Sequence, residues 1–372
     1  MPAGQGRDIR YLAQLYLTRE PVMLALLTVL AVVLFLFVGG LSRAFHAQQD
    51  SLGNRWFSRG VADLNARRFD AAAAEFRAAL RYSRDNYSYQ LNLAESLLGL
   101  KRTGEAQAYL VNLWDRQPED GVVNLELARI AAQRQETDQA LRYFHNAIYA
   151  IWPGDQQVQR RDARLELIEF LLQIGAKTQA QAEMIALEAN LEDDPAEQAK
   201  VGALFLRAQD YEHALAAFRM TLKSNRHQAV ALAGAGLAAY ELGRYPAAER
   251  YLQAAVAADP NDAPSEETLK TTEMVLAMDP FRPGVSAAQR SRIVVQAFAA
   301  AGERIKACGA AGDQWATMKP QISEMRLRGN PDLEAAAMDL VFNIERETSA
   351  SCGAPAGEDL ALLLVGKLHE GN

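Results

Sequence analysis

Between residues 242 and 262 the sequence LGRYPAAERYLQAAVAADPND patterns as one short helix between two prolines. Pro246 stands where a first helical turn accepts proline, and Pro260 stands just past the end. Most of its core-side positions are alanine. A lone helix of this length is marginal in water, and alanine buries little surface. The pattern therefore predicts close packing against other helices.

A different pattern occupies residues 22–41, VMLALLTVLAVVLFLFVGGL, twenty residues without a charge. At the helical rise they span about 30 Å, the thickness of a hydrocarbon core. Pro21 opens a predicted transmembrane helix, 21–41, and Gly39-Gly40 closes it. Segment 1–20 precedes it, with Tyr11 and Tyr16 placed for the interface, and a linker, 42–52, follows. A cleaved signal peptide is the alternative, with Ser42-Arg43-Ala44 as its small-x-small site. The apolar run is longer than the about 7–15 residues of a signal core. Arg7, Arg10 and Arg19 before the segment balance Arg43, Arg55 and Arg59 after it, so the positive-inside rule decides little. The free amine and the nearness of Arg19 favour a cytoplasmic N-terminus.

The alanine pattern repeats. Ala72, Ala106 and Ala140 stand 34 residues apart, as do Ala180, Ala214 and Ala248, with 40 residues between the two sets. Four residues after each comes a large apolar side chain: Phe76, Leu110, Phe144, Met184, Phe218 and Leu252. Twelve before comes Gly60, Ala94, Ala128, Gly202 or Gly236, with Ile168 as the exception. A fixed period of this length predicts stacked helix pairs sharing a continuous core. The alanines would then sit where helices cross most closely, at axial separations of about 8 Å. The extra residues, WPGDQQVQR at 152–160, have the composition of a surface loop.

These residues resemble the tetratricopeptide repeat. The copy from Gly236 through Tyr240, Gly243, Tyr245, Ala248, Leu252, Ala255 and Asp259-Pro260-Asn261 follows that pattern closely. Trp56, Gly60, Phe69, Ala72, Phe76 and Ala79 follow it in the first copy. Leu113, Leu187 and Thr221 depart from it at a usual alanine. The resemblance implies a right-handed solenoid of about six repeats over 53–262; with the transmembrane helix before it and a small helical C-terminal module after it, the chain reads as all-α.

Residues 263–280 pattern as a capping helix with Ser265 as N-cap, which repeat arrays need to close their exposed end. The module 281–372 follows. Ser286 and Gln289 make a capping box, and Ile293, Ala297, Phe298, Ala301, Ile305 and Cys308 share one face. A further helix starts at Asn330-Pro331, and a last one runs through EDLALLLVGKL. The two cysteines, Cys308 and Cys352, lie at helix ends. A disulfide between them would require an oxidising compartment; two buried thiols are the alternative.

The chain has 372 residues and a formal charge of −7, which disfavours nonspecific nucleic-acid binding. It carries no Gly-rich phosphate loop, His-Glu-x-x-His or nucleophile elbow. Its histidines, His46, His145, His213, His227 and His369, are scattered. Asp193-Asp194 and Glu266-Glu267 sit beside proline or serine and read as helix-end residues. The expectation is a protein without catalytic site, cofactor or metal; an unrecognised site in the C-terminal module is the enzymatic alternative.

The resemblance further implies that the first helix of each pair lines a concave binding face. Transferred by register, that face holds Phe57, Leu91, Asn92, Glu95, Leu125, Arg129, Leu165, Glu166, Glu169 and Tyr240. The family's clamp for C-terminal carboxylates uses lysine and asparagine at these places, where this chain has leucine and glutamate. The expected partner is a protein or peptide segment, amphipathic with some basic charge. The expected role is that of a membrane-anchored scaffold outside the cytoplasm, resembling bacterial envelope proteins that assist assembly, secretion or maturation of other proteins. A cytoplasm-facing adaptor in regulation is the alternative.

Overall fold

The apolar segment and the first repeat share one helix. In the computed structural model, which describes residues 5–189, 191, 194–310 and 312–370, with side chains from residue 23 onward, α1 (Gln5–Asn65) runs without a break. The closure expected at Gly39-Gly40 and the linker expected at 42–52 are therefore both helical. Glycine inside a helix costs only about 1 kcal/mol, too little to stop a helix that continues on both sides. The side chains of Arg7, Arg10, Tyr11, Tyr16 and Arg19, and Asp193 entirely, lie outside the described residues.

The chain divides into two compact units, residues 1–164 and 165–372. In the first, α1 is followed by α2 (Phe69–Leu80), α3 (Tyr87–Gly99), α4 (Thr103–Arg116), α5 (Gly121–Gln133) and α6 (Thr137–Tyr149). Helix α7 (Gln156–Gln173) spans the division. The second unit continues with α8 (Lys177–Glu188), α9 (Pro195–Arg207), α10 (Tyr211–Ser224), α11 (Ala229–Glu241) and α12 (Tyr245–Ala258). It ends with α13 (Ala263–Met278), α14 (Ala287–Cys308), α15 (Asp313–Met318), α16 (Glu324–Leu327), α17 (Pro331–Ser351) and α18 (Glu358–His369). Within each unit, the helices between the end of α1 and α12 stack as tetratricopeptide-like pairs.

Each pair turns in the same way. Arg67, Lys101, Gln135, Gly175, Gln209 and Gly243 all have φ between 57° and 75°, and they keep the repeat spacing. At each, the next residue's N–H donates back to the carbonyl five residues before it, as from Arg68 to Asp63 (2.8 Å) and from Arg244 to Ala239 (2.8 Å). The turn residue's own N–H reaches three residues back, as from Gly243 to Tyr240 (2.9 Å). This is the Schellman arrangement, which satisfies the last carbonyls of the first helix and reverses the chain.

The alanine register marks the core. Ala72, Ala106, Ala140, Ala180, Ala214 and Ala248 are all fully buried. So are the large residues four positions on, from Phe76 to Leu252. The small residues twelve positions earlier make room for them. A Cβ on Gly60 would lie 2.6 Å from Cε1 of Phe76, and one on Gly202 would lie 3.0 Å from Cε1 of Phe218.

Two local expectations are corrected. The loop expected at 152–160 shortens to 150–155, because α7 already begins at Gln156. Trp152 is buried (5% exposed). Its ring lies where a Cβ on Gly121 would be 2.3 Å away, and its Nε1 donates to the Ala147 carbonyl (2.8 Å). The apolar ring outweighs the loop-forming residues around it. The cap of α13 is Asp262, whose carboxylate accepts from the Ser265 N–H (3.2 Å); Ser265 stands inside the first turn. Pro264 needs no N–H partner there, so the helix starts earlier.

The remaining helices close a second core, with Val294, Phe298, Met338, Val341, Leu362 and Val365 buried together. The Ser286–Gln289 capping box forms on α14, and Asn330 caps α17 through the Leu333 N–H (3.2 Å). The last helix is tied to α13 by His369, whose Nε2 is 3.0 Å from the Asp279 carboxylate. The chain joins Cys308 to Cys352 with their Cα atoms 5.7 Å apart.

Candidate functional site

The ten residues assigned to the binding face fall in both units, and each set is described within its own unit. In the first unit Phe57 comes from the last turns of α1. Its ring packs against Phe76 (centroids 5.7 Å) and Tyr89 (5.1 Å), so it closes the core edge more than it offers a free surface. Leu91 is half-buried against the same core, and Leu125 is 7% exposed. Asn92 spends its amide on the Ser88 carbonyl (2.9 Å).

The polar part of this face is better defined. Glu95 on α3 and Glu126 on α5 lie close enough to interact. Burial, and then the charge of Glu126, push the Glu95 carboxyl above its ordinary value. Arg129 pairs with Glu126 one turn along α5. Glu95, Glu126 and Arg129 thus form one half-buried charged group on neighbouring first helices.

In the second unit Leu165 and Glu166 are half-buried on α7. Glu169 is held by Arg207 of α9 in a two-pronged ion pair, 2.6 and 2.8 Å. Arg207 was not legible as a site residue, because its partner lies 38 positions away. Tyr240 sits edge-on to Tyr245 (5.8 Å). Burial raises its hydroxyl pKa, and the Tyr245 hydroxyl is pushed up to about 12, mainly by burial. Beside them Val230 (64% exposed) and Leu237 (37%) stand seven residues apart on one face of α11. Their two-turn spacing is the signal that would have added Val230 to the set.

Two clefts also open on the surface. One, of about 370 Å³, lies between the last repeat and α18, lined by Tyr240, Glu241, Tyr245, Leu364, Lys367 and Leu368 among others. The other, of about 380 Å³, is lined by Arg77, Leu80, Arg81, Arg84 and Tyr109. Among the described residues no group of His, Cys, Asp and Glu is placed to hold a metal ion. His213 stacks on Phe205 and faces Asp210, and His369 faces Asp279; both serve local packing.

The class follows from these features: paired helices in register, a Schellman turn in each pair, and a small-to-large contact across it. The tetratricopeptide repeat family model matches residues 57–120 and 202–263, and these two stretches carry tetratricopeptide repeats. Such repeats are generally noncatalytic protein-interaction scaffolds. No curated protein matches the chain in sequence. Among solved structures it is similar to YrrB, a repeat protein described as having an unusual peptide-binding site, at 15% identity and a TM-score of 0.41, covering 51% of this chain and 95% of that one. It is also similar to PilF of Pseudomonas aeruginosa, at 14% identity and a TM-score of 0.42, covering 59% and 97%. A third is PilW, described as a widely conserved type IV pilus biogenesis factor, at 19% identity and a TM-score of 0.41, covering 59% and 98%.

Proposed function

We propose that this protein is a scaffold held in a membrane by α1, with its repeats outside the cytoplasm, where it binds a protein segment during assembly, secretion or maturation of envelope proteins. The carrying observation is the exposure of α1. From Met23 to Leu41 every side chain is exposed, among them Phe35 (78%) and Phe37 (67%). A soluble chain rarely leaves so large an apolar surface uncovered, and a bilayer covers it. The Cys308–Cys352 bond supports the location, since disulfides persist in oxidising compartments.

The partner segment is apolar with some basic charge. Each unit is read by itself: in the second, Val230 and Leu237 offer an apolar ledge on α11, and in the first, Glu95 of α3 lies beside the Glu126–Arg129 pair of α5.

Cross-linking of the full chain in native membranes, followed by identification of the captured protein, tests the scaffold reading. Val230→Asp with Leu237→Asp is expected to lose the captured protein while the fold remains. Protease added to sealed spheroplasts is expected to remove residues beyond α1. Protection from protease, together with two freely labelled thiols, would place the repeats in the cytoplasm instead.

A further inference from the structure

We propose that the first two repeats carry a docking site for anionic phospholipid headgroups, formed by Arg77, Arg81 and Arg84 around Tyr109. The proposal rests on reading α1 as a membrane anchor. Arg77 and Arg81 stand one turn apart at the end of α2, and Arg84 follows in the loop before α3. With Leu80 and Tyr109 they line a cleft of about 380 Å³. Arg77 pairs with Glu105 of α4 at 3.6 Å. Arg81 and Arg84 are exposed, and neither has an ion-pair partner among the described residues. Guanidinium groups match phosphate geometry in two-pronged hydrogen bonds, and tyrosine is at home at the headgroup level.

The direction of α2 places this cleft toward the bilayer. α2 runs back along α1 toward the apolar segment: Phe76 packs at Gly60, and Tyr82 packs at Gly53. The Tyr89 hydroxyl donates to Asn54 (2.8 Å), which fixes the following loop at the same level. Gly53 lies twelve residues beyond Leu41, about 18 Å along the helix axis. Headgroups fill roughly the first 6 Å outside the hydrocarbon. A helix tilt of about 20° and the length of an arginine side chain narrow the remainder. The negative surface potential reaches a further 8–10 Å or so. Four acids lie near this end, and none lines the cleft: Asp120 caps α5 through the Val123 N–H (2.9 Å), Glu119 lies near Tyr87, Asp50 of α1 lies near Tyr89, and Asp85 follows Arg84 in the loop. A membrane phosphate is favoured over a soluble one because the cleft lies at the end of the unit nearest the anchor.

The test uses the full chain reconstituted in vesicles of phosphatidylcholine alone, or with about one part in three of phosphatidylglycerol. Flotation with the neutral vesicles tests the anchor by itself; a chain that stays at the bottom overturns the anchor and this proposal with it. Phenylglyoxal labelling of individual arginines, read by mass spectrometry, then tests the cleft. Arg81 and Arg84 are expected to label about fivefold more slowly in the anionic vesicles, matching the attraction of one basic residue near such a surface. Arg67, at the opposite end of the helix pair, is expected to keep its rate, and molar salt is expected to abolish the difference. In R81Q/R84Q the chain should still float and Arg77 should lose its shielding. Equal rates in both vesicles, or equal slowing at Arg67, would overturn the site. The same shielding from inorganic phosphate or a phosphopeptide with neutral vesicles would overturn its assignment to lipid.

Discussion

Gly236 and Leu252 meet so closely that a single Cβ added to the glycine would stand 2.6 Å from the leucine Cγ. The contact joins α11 to α12, sixteen residues apart in sequence. The same spacing relates Gly60 to Phe76 and Gly202 to Phe218. Each small residue allows the two helices of a pair to approach, and each large one fills the space so opened. Gly236→Ala is expected to destabilise the second unit by about 1–3 kcal/mol through overpacking, and Leu252→Ala by about 2–5 kcal/mol through a cavity. The double variant should cost less than the sum, because each change relieves the other. Additive costs in denaturant titration would show that the two residues do not share this contact. Ala248→Leu, at the fully buried position beside them, is expected to cost a similar 1–3 kcal/mol or so.

The pair turns offer a stabilising change. Gln135 holds φ at 60° where the equivalent Gly243 has 69°. A left-handed backbone costs a residue with a Cβ about 1 kcal/mol or more, and glycine little. Gln135→Gly is expected to raise stability by about 0.5–1 kcal/mol, and Gly243→Ala to lower it by a similar amount. Thermal unfolding of both variants checks the signs, and a loss in each would contradict the shared turn geometry.

Glu345 makes the second unit sensitive to pH. Its side chain is fully buried on α17, and both its carboxyl oxygens lack a hydrogen-bond partner. Burial, and then the charge of Asp359 on α18, raise its pKa from 4.5 to about 7, with Arg304 opposing them. The folded state therefore holds a proton that the unfolded chain releases at lower pH. Its contribution is fully present below the unfolded value, fades as pH rises through about 7, and is gone above it. Glu345→Gln should leave stability nearly unchanged near pH 5 and raise it by at most about 3 kcal/mol above pH 8. A pH-independent difference between parent and variant in chemical unfolding would exclude Glu345 as the group responsible.

The bond between Cys308 and Cys352 closes a loop of 44 residues. On the chain-entropy account it contributes up to about 4 kcal/mol by restricting the unfolded state. Reduction, or Cys308→Ser with Cys352→Ser, is expected to lower the unfolding midpoint of the C-terminal helices. Thiol labelling of unreduced, denatured protein should find no free cysteine, and two labelled thiols would refute the bond.

The sequence by itself determined the repeat. Period, helix pairing and the small and large positions all follow from local spacing, since a helix pair has too little core to stand alone and must be written to stack. The capping box at Ser286 and the cap at Asn330 were legible for the same reason: their partners lie three residues away. Tertiary structure decided whatever depends on distant chain or on a surrounding medium. Gly39-Gly40 remain helical because two glycines cost too little to break a helix that continues on both sides. Trp152 stays in the connection but turns its ring inward because Gly121 opens a place for it, and burial of an indole outweighs loop composition. Arg207 found Glu169, Glu345 lost contact with water, and Leu125 turned into the core instead of lining a groove. Spacing along one helix assigns a face, but only the packed neighbours determine how much of that face remains open.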